Sequence, residues 1–194
     1  LDLGGGFAAR YTEKDSCPPV ETVCRRILEA MTEAVKRHGL SVRELIIEPG
    51  RSIAAEAGWT LYTVGSIKDT EHRRYVFVDG GMNDNIRPAL YQAEYEAVLA
   101  DRMDEEKSET VTVAGKCCES GDIILRNGRL QPARPGDILA VASTGAYGQS
   151  MASNYNKLPV PGTLFVKDGQ ARWVIRPQDL EDLIRNEEPL PEES

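Results

Sequence analysis

Basic residues are in the minority in this chain of 194 residues, which has 23 lysines and arginines against 31 aspartates and glutamates. The formal charge of −8 argues against non-specific binding to nucleic acid, because that binding depends on cationic side chains. A long apolar run is also missing, since none approaches the roughly 20 residues that a membrane-spanning helix needs. We therefore expect a soluble protein with neither a membrane nor a nucleic acid as its partner.

Cysteine is scarce too, with only four residues in the chain: Cys17, Cys24, Cys117 and Cys118. Their spacing does not fit a zinc site, which needs paired thiolates a few residues apart together with further ligands. We predict no metal. A bond between the adjacent Cys117 and Cys118 would be strained, so reduced thiols in a cytoplasmic protein are the simplest interpretation.

A start methionine is absent as well, because the chain opens on Leu1 and runs directly into Leu-Asp-Leu-Gly-Gly-Gly. This opening has the pattern of a buried strand that ends in a tight turn. We therefore expect the chain to begin in the middle of a fold. Any targeting signal would then lie upstream of Leu1.

The first 57 residues have the pattern of a parallel β/α unit. Residues 1–4 and 45–47 are short apolar segments typical of buried strands. Between them, residues 19–38 show apolar side chains at helical spacing, and Gly39 follows as a helix-terminating residue. Strand, helix and strand within about fifty residues predict two parallel strands.

From residue 58 onward the pattern becomes that of an all-β domain. Seven short segments rich in β-branched residues are separated by glycine, proline and aspartate. These segments are 59–67, 74–78, 110–113, 123–126, 138–142, 163–166 and 171–175. We predict an antiparallel β-barrel or sandwich over residues 58–194, with a final helix at 178–186.

Two strand ends in the first segment have the composition of a phosphate site. Gly4, Gly5 and Gly6 end one predicted strand, and Glu48-Pro49-Gly50-Arg51 ends the next. Such turns can direct backbone N–H groups at an anion, although a glycine-rich turn can also be only a tight turn. Two successive strand ends of this kind match the phosphate site of a (β/α)8 barrel.

Three loops of the second segment combine residues that could do chemistry. The loop Lys116-Cys117-Cys118-Glu119 either buries a cysteine pair or presents a thiol of shifted pKa as proton donor or nucleophile. Arg87 either grips a carboxylate or pairs with Asp84. Tyr147, in a loop of small residues, either reaches a ligand or packs inside.

Five motifs together resemble the diaminopimelate decarboxylase family of fold-type III pyridoxal-phosphate enzymes. The resemblance runs from Leu1 to about Leu183, and the motifs occur in the family's order. They are Leu-Asp-Leu-Gly-Gly-Gly-Phe, Glu-Pro-Gly-Arg-Ser, Asp-Gly-Gly-Met-Asn-Asp-Asn-Ile-Arg-Pro-Ala-Leu-Tyr, Cys-Cys-Glu-Ser-Gly-Asp, and Gly-Ala-Tyr-Gly followed by Ser-Asn-Tyr-Asn. The resemblance implies that residues 1–57 are the last strands of a (β/α)8 barrel and that residues 58–194 are the C-terminal β-domain.

The resemblance also implies the residues that hold pyridoxal 5'-phosphate. Gly5 and Gly6 would bind the cofactor phosphate, joined by the backbone of Gly50 and Arg51. Glu48 would face the pyridine nitrogen and keep it protonated. Tyr147 would contact both cofactor and substrate.

The resemblance assigns the substrate contacts and the proton donor to further positions. Arg51, Arg87 and Tyr91 would bind substrate carboxylates, and Glu119 would bind the distal ammonium group. Cys118 would donate a proton to Cα after loss of CO2, in the site of the neighbouring subunit of a homodimer.

Two departures from the family pattern stand out. Gln92 occupies a position where relatives usually have glycine. The lysine that bonds the cofactor, and a histidine that stacks on its ring, belong to an early barrel strand that this sequence does not contain, so this chain alone is expected to be inactive.

The function implied for the whole protein is the conversion of meso-2,6-diaminopimelate to L-lysine and CO2, the last step of bacterial lysine synthesis. One alternative is the same chemistry on ornithine, arginine or a carboxylated polyamine. Another is a non-catalytic homologue that binds partners. The Cys-Glu-Ser-Gly-Asp string favours diaminopimelate, because ornithine-type relatives usually have Cys-Asp there.

Overall fold

The computed structural model describes residues 1–190, and they form two compact units. The first unit contains Leu1–Thr60 together with Ala142–Tyr147, and the second contains Leu61–Val141 and the described residues from Gly148 onward. The boundary at residues 57 and 58 inferred from the sequence stays a prediction.

The first unit contains the predicted parallel pairing between the chain's start and the segment near residue 46. Asp2 and Ile46 form an isolated parallel bridge. The N–H of Leu3 donates to the Ile46 carbonyl at 3.0 Å, and the N–H of Glu48 donates to the Gly4 carbonyl at 2.7 Å. The pairing is therefore confirmed as a short bridge, which places the two glycine-containing turns next to each other.

Helix α1, Val20–His38, is the long helix of this unit and lies where its apolar periodicity predicts it. Gly39 ends it in the left-handed conformation, with φ 63°, and donates its N–H to the Val35 carbonyl. No residue of α1 is buried. A second helix, α2 (Arg51–Ala54), begins immediately after Gly50 and was not predicted.

Eight strands, three short helices and a 3-10 turn make up the rest of the described chain. The strands are β1 (Thr60–Asp69), β2 (Arg74–Val78), β3 (Ala97–Leu99), β4 (Glu109–Ala114), β5 (Ile123–Leu130), β6 (Ile138–Val141), β7 (Thr163–Lys167) and β8 (Gln170–Ile175). The helices are α3 (Arg87–Tyr91), α4 (Gly148–Met151) and α5 (Leu180–Ile184), and the 3-10 turn is Tyr155–Lys157. The seven predicted strands and the final helix are confirmed, whereas β3, α3, α4 and the 3-10 turn were missed.

Six of the strands form one sheet in the order β3-β6-β1-β2-β4-β5. The outer strands β3 and β5 contact each other, and the N–H of Leu99 donates to the side chain of Gln131, just beyond β5, at 3.2 Å. The sheet therefore nearly closes, which confirms the predicted barrel-like domain. Its interior contains Val64, Val76, Val113, Leu130 and Leu139.

One feature of the sheet departs from the sequence prediction, because β2 and β4 are parallel. The prediction of a purely antiparallel barrel is wrong, and the sheet is mixed. The physical reason is the long connection between these strands, which contains α3 and β3 and returns the chain to β4 in the direction of β2. Alternating hydrophobic residues do not distinguish the two directions of pairing.

The last two strands form a separate hairpin, β7–β8. Asp168 and Gly169 lie between them with φ values of 51° and 73°, the signs that a two-residue type I′ turn requires. The turn signal read from the sequence is therefore confirmed. Helix α5 begins at a capping box in which Asp179 and Asp182 exchange side-chain to backbone hydrogen bonds.

Helix α3 ends at Gln92, which adopts a left-handed conformation with φ 54° and ψ 32°. A residue with a side chain has a steric cost of about 1–2 kcal/mol in this region, whereas glycine has none. The backbone conformation therefore favours glycine at this position.

We predict that Gln92→Gly raises the free energy of unfolding by about 0.5–1 kcal/mol. This is the net effect, because the greater conformational entropy of glycine in the unfolded state offsets part of the relieved strain. Urea denaturation of both proteins measures the change. Gln92→Ala is the matched control, because it keeps the β-carbon and should give no gain. A Gly variant no more stable than the Ala variant would contradict this explanation.

Candidate functional site

Two glycine-containing turns of the first unit pack directly against each other. Gly4 and Gly6 have φ values of 70° and 86°, which strain any other residue. A β-carbon on Gly5 would lie 2.5 Å from the carbonyl oxygen of Glu48, so only glycine permits this approach of the two backbones. The turn after residue 4 and the turn after residue 48 therefore form one continuous surface.

This surface presents a set of backbone donors. Within residues 1–190, the N–H groups of Gly5, Gly6, Gly50 and Arg51 donate to no protein atom. A β-carbon on Gly6 or Gly50 would meet nothing within 4 Å, so the space beside them is open. Four unpaired amides around open space can bind a phosphate, and we name Gly5, Gly6, Gly50 and Arg51 the amide cradle.

Two charged side chains and two tyrosines belong to the same unit as the amide cradle. Glu48 is exposed and lies beside it, and the guanidinium of Arg51 lies 6.0 Å from the ring centre of Tyr11. Tyr147 has φ 72°, an uncommon conformation for a residue with a β-carbon. The structure thus brings the predicted cofactor residues into one compact unit.

The segment that contains Tyr147 passes over the end of α2 at very short range. A β-carbon on Gly145 would lie 2.0 Å from the Ala54 carbonyl oxygen, and one on Gly58 would lie 2.2 Å from the Gly145 Cα. The hydroxyl of Ser143 also donates to the Arg10 carbonyl at 2.7 Å. These contacts fix the backbone that leads into Tyr147.

In the second unit, the buried carboxylate of Asp122 joins two loops. It accepts the N–H of Met82 on Oδ1 and the N–H of Cys117 on Oδ2, both at 2.7 Å. A β-carbon on Gly81 or Gly115 would lie within 2.5 Å of the same carboxylate. Glycine at both positions therefore lets the two backbones close around the anion.

Asp84 is a second buried carboxylate in the first of these loops. It accepts the hydroxyl of Tyr62 at 2.5 Å and the N–H of Gly81 at 2.9 Å. Burial raises the pKa of Asp84 from 3.8 to about 6, against the opposing effect of these hydrogen bonds, and the charge of Asp122 adds to the rise. Burial also raises the pKa of Tyr62 well above its ordinary value.

Arg87 is buried at the start of α3, with 8% of its surface exposed. Its Nη1 donates to the hydroxyl of Tyr95 at 2.7 Å, and the guanidinium lies over the ring of Tyr95 at 5.9 Å. These two contacts fix the plane of the guanidinium. Tyr91, one helical turn later, is 62% exposed.

The adjacent cysteines face opposite ways. Cys117 is buried, its thiol donates to Oδ1 of Asn83 at 3.7 Å, and burial raises its pKa. Cys118 is exposed, and its N–H donates to Oδ1 of Asn156 at 2.7 Å. The interpretation of a buried cysteine pair is therefore wrong for Cys118, which alone of the two can meet a ligand directly.

Glu119 follows Cys118 and is also exposed. Its carboxylate accepts the hydroxyl of Ser120 and the N–H of Gly121, both at 3.3 Å. These weak local bonds leave the carboxylate accessible to a cation. The second unit therefore contains Arg87 and Tyr91 in α3, and Cys118 and Glu119 in the loop after β4.

The sequence interpretation assigned no role to Asp122, Tyr62 or Asn156, and it considered Asp84 only as a partner of Arg87, whereas the Asp84 carboxylate accepts from Tyr62 and Gly81. All but Tyr62 lie inside the five motifs. Asp122 could have been found from Gly81 and Gly115, which lie next to the backbone segments that its carboxylate contacts. Within residues 1–190 no three histidine, cysteine or acidic side chains are grouped as metal ligands. None of the helices in that range has the length and apolar character required to cross a bilayer.

Comparison with known proteins agrees with this arrangement. Residues 16–145 match the family described as pyridoxal-dependent decarboxylase, C-terminal sheet domain. The chain is 51% identical to the diaminopimelate decarboxylase of Bacillus subtilis over 191 residues, which are 98% of this chain and 44% of that protein. The chain thus spans less than half the length of this curated relative.

Two solved structures are similar as well. The diaminopimelate decarboxylase of M. jannaschii in complex with L-lysine has a TM-score of 0.87 and 34% identity, covering 98% of this chain and 43% of that one. The lysine/ornithine decarboxylase of Vibrio vulnificus with cadaverine has a TM-score of 0.66 and 27% identity, covering 81% and 40%. The family match, the barrel-like sheet and the motif loops together show that this chain belongs to the pyridoxal-dependent decarboxylases and contains their C-terminal sheet domain.

Proposed function

We propose that the protein containing this chain decarboxylates meso-2,6-diaminopimelate to L-lysine and CO2, with pyridoxal 5'-phosphate as cofactor. The amide cradle beside Glu48 is the observation that supports the cofactor most directly. The substrate is supported by the greater similarity to the solved diaminopimelate decarboxylase of M. jannaschii, with 34% identity and a TM-score of 0.87, than to the lysine/ornithine decarboxylase, with 27% and 0.66.

The residues present fit the cofactor. The four N–H groups of the amide cradle would bind its phosphate, and the open space beside Gly6 and Gly50 leaves room for it. Glu48, at the end of the second turn, would hold a proton on the pyridine nitrogen. When bound, the cofactor supplies a sink for the electron pair released as CO2 leaves. The lysine that bonds it would belong to a part of the protein outside this chain.

Five residues of this chain would contact the substrate. Arg51, Arg87 and Tyr91 would bind carboxylates, and Tyr147 would contact substrate and cofactor together. Arg87 is suited to this role because Tyr95 already holds the plane of its guanidinium. The side chain would therefore lose little conformational entropy when the substrate binds. Glu119 would bind the distal ammonium group.

Cys118 would complete the reaction. Loss of CO2 leaves Cα one proton short of the product amine, and the exposed thiol of Cys118 would donate that proton. Cys117 is unsuited to this step because its thiol is buried against Asn83. We further propose a cytoplasmic homodimer in which Cys118 acts in the partner's site.

The purified full-length protein should decarboxylate meso-diaminopimelate and reject ornithine. Ornithine has no distal carboxylate, so a site built to pair one would keep an unpaired charge, and kcat/KM should fall by about 10³-fold or more. Release of CO2 from each amino acid measures this ratio. Equal rates on both substrates would contradict the proposal and indicate an ornithine-type decarboxylase. No release of CO2 from either amino acid would favour a non-catalytic binding protein.

Glu48→Gln in the full-length protein should lower kcat by about 100-fold or more, because a neutral amide no longer stabilises a protonated ring. Cofactor occupancy should change little, since the amide cradle remains intact. Steady-state kinetics combined with a cofactor absorbance titration separate the two effects.

Glu44→Gln is the matched control for this experiment. Glu44 is an exposed glutamate four residues before Glu48, and its side chain has no proposed role. Its variant should keep the wild-type kcat. Wild-type turnover in Glu48→Gln would remove Glu48 from the mechanism.

A further inference from the structure

Asn156 ends the Ser-Asn-Tyr-Asn motif and has a backbone conformation that few residues tolerate. Its φ and ψ are 54° and 25°, inside the left-handed region, which asparagine enters more easily than most residues with a side chain. None of the catalytic, cofactor or substrate roles proposed above uses Asn156. Its side chain nevertheless contacts the loop of the proposed proton donor.

The contact is a hydrogen bond from the N–H of Cys118 to Oδ1 of Asn156, at 2.7 Å. The preceding amide, that of Cys117, donates to Asp122 at the same distance. Two successive backbone amides are thus held by side chains from two different places in the chain. This double attachment fixes the point at which Cys117 turns inward and Cys118 turns outward.

The segment that supplies Asn156 is itself anchored. The N–H of Ser153 donates to the carbonyl of Asn83, in the loop that precedes Arg87, at 2.8 Å. The side-chain amide of Asn154 donates to the Leu158 carbonyl at 2.9 Å and to the Gln178 side chain at 2.6 Å. Asn156 therefore projects from a braced segment that also contacts the loop of Arg87.

The rest of the Cys118 loop contains both short-range and long-range bonds. The N–H of Glu119 donates to the Cys117 carbonyl at 2.7 Å, and the N–H of Asp122 donates to the Glu119 carbonyl at 3.1 Å. The loop is also anchored at Lys116, whose N–H donates to the Gly80 carbonyl at 3.0 Å, and at Asp122, which accepts the N–H of Met82. The bond to Asn156 ties Cys118 itself to a residue 38 positions away.

We propose that Asn156 is a positioning residue that sets the location of the Cys118 thiol by holding the Cys118 backbone amide. This inference rests on the proposed function, in which Cys118 donates the proton to Cα. Proton transfer is sensitive to the placement of the donor, and a displacement of 1 Å can lower a rate by about 100-fold.

The test uses full-length holoenzyme with three variants. Asn156→Gly removes the acceptor but keeps the left-handed backbone, and Asn156→Asp keeps an acceptor oxygen. Asn127→Gly is the matched control, because Asn127 is an exposed asparagine with the same φ of 54° in β5 and has no proposed role. Kinetics on meso-diaminopimelate and urea denaturation are measured for each.

In Asn156→Gly, kcat should fall about tenfold while KM changes less than about twofold, because the thiol moves but the substrate contacts stay. Asn156→Asp should keep kcat within about threefold of wild type, and Asn127→Gly should match wild type. A loss of stability alone would not explain why kcat is restored in Asn156→Asp but not in Asn156→Gly. Wild-type kcat in Asn156→Gly, or an Asp variant as slow as the Gly variant, would overturn the proposal.

A second readout does not depend on the proposed function. Iodoacetamide labelling of Cys118, followed by peptide mass spectrometry, should be faster by about threefold or more in Asn156→Gly, because the loop is released. Labelling of the partly buried Cys17 should stay unchanged. If wild-type enzyme is inactive on meso-diaminopimelate, the proposed function fails, and unchanged labelling of Cys118 in Asn156→Gly then overturns the positioning role as well.

Discussion

The buried carboxylate of Asp122 receives the backbone N–H groups of Met82 and Cys117, one on each oxygen, and so ties the loop after β2 to the loop after β4. A buried anion is unfavourable unless hydrogen bonds replace its hydration, and bonds to a charged group contribute about 1.5–3 kcal/mol each. The glycines at 81 and 115 make the bonds possible, because a β-carbon at either position would collide with the carboxylate. This interaction fixes the separation of the loops that contain Arg87 and Cys118.

The parallel pairing of β2 and β4 makes this bridge geometrically possible. Parallel neighbours end at the same edge of a sheet, so the chain leaves Val78 and Ala114 side by side. Each loop then follows a short path to Asp122, and Asn83 and Asn156 add the contacts that separate the inward Cys117 from the outward Cys118. Arg87 and Cys118, the residues proposed to act on the substrate, are thus positioned by backbone amides and small side chains around them.

The sequence predicted the regular parts of this fold well, because they depend on local patterns. Helix α1 follows from its apolar spacing and Gly39, and the β7–β8 hairpin follows from Asp168 and Gly169. The direction of the β2–β4 pairing was not predictable, since a strand buried on one face alternates in the same way whichever direction its neighbour runs. The motifs contain the amide cradle and Cys118, but Asp122 accepts the N–H of Met82, 40 residues away, and only the glycines at 81 and 115 indicate that contact in the sequence.

Backbone amide hydrogen exchange of Met82 and Cys117, measured by NMR in wild-type protein and in Asp122→Asn, tests the bridging role of Asp122 most directly. Asparagine keeps the size of aspartate but offers one acceptor oxygen and directs an NH2 group at the other amide. Both amides should be protected in the wild type. In the variant at least one should exchange about tenfold faster or more, while the strand amides of Val76 and Val113 keep their wild-type rates. Unchanged exchange of both Met82 and Cys117 would contradict the account.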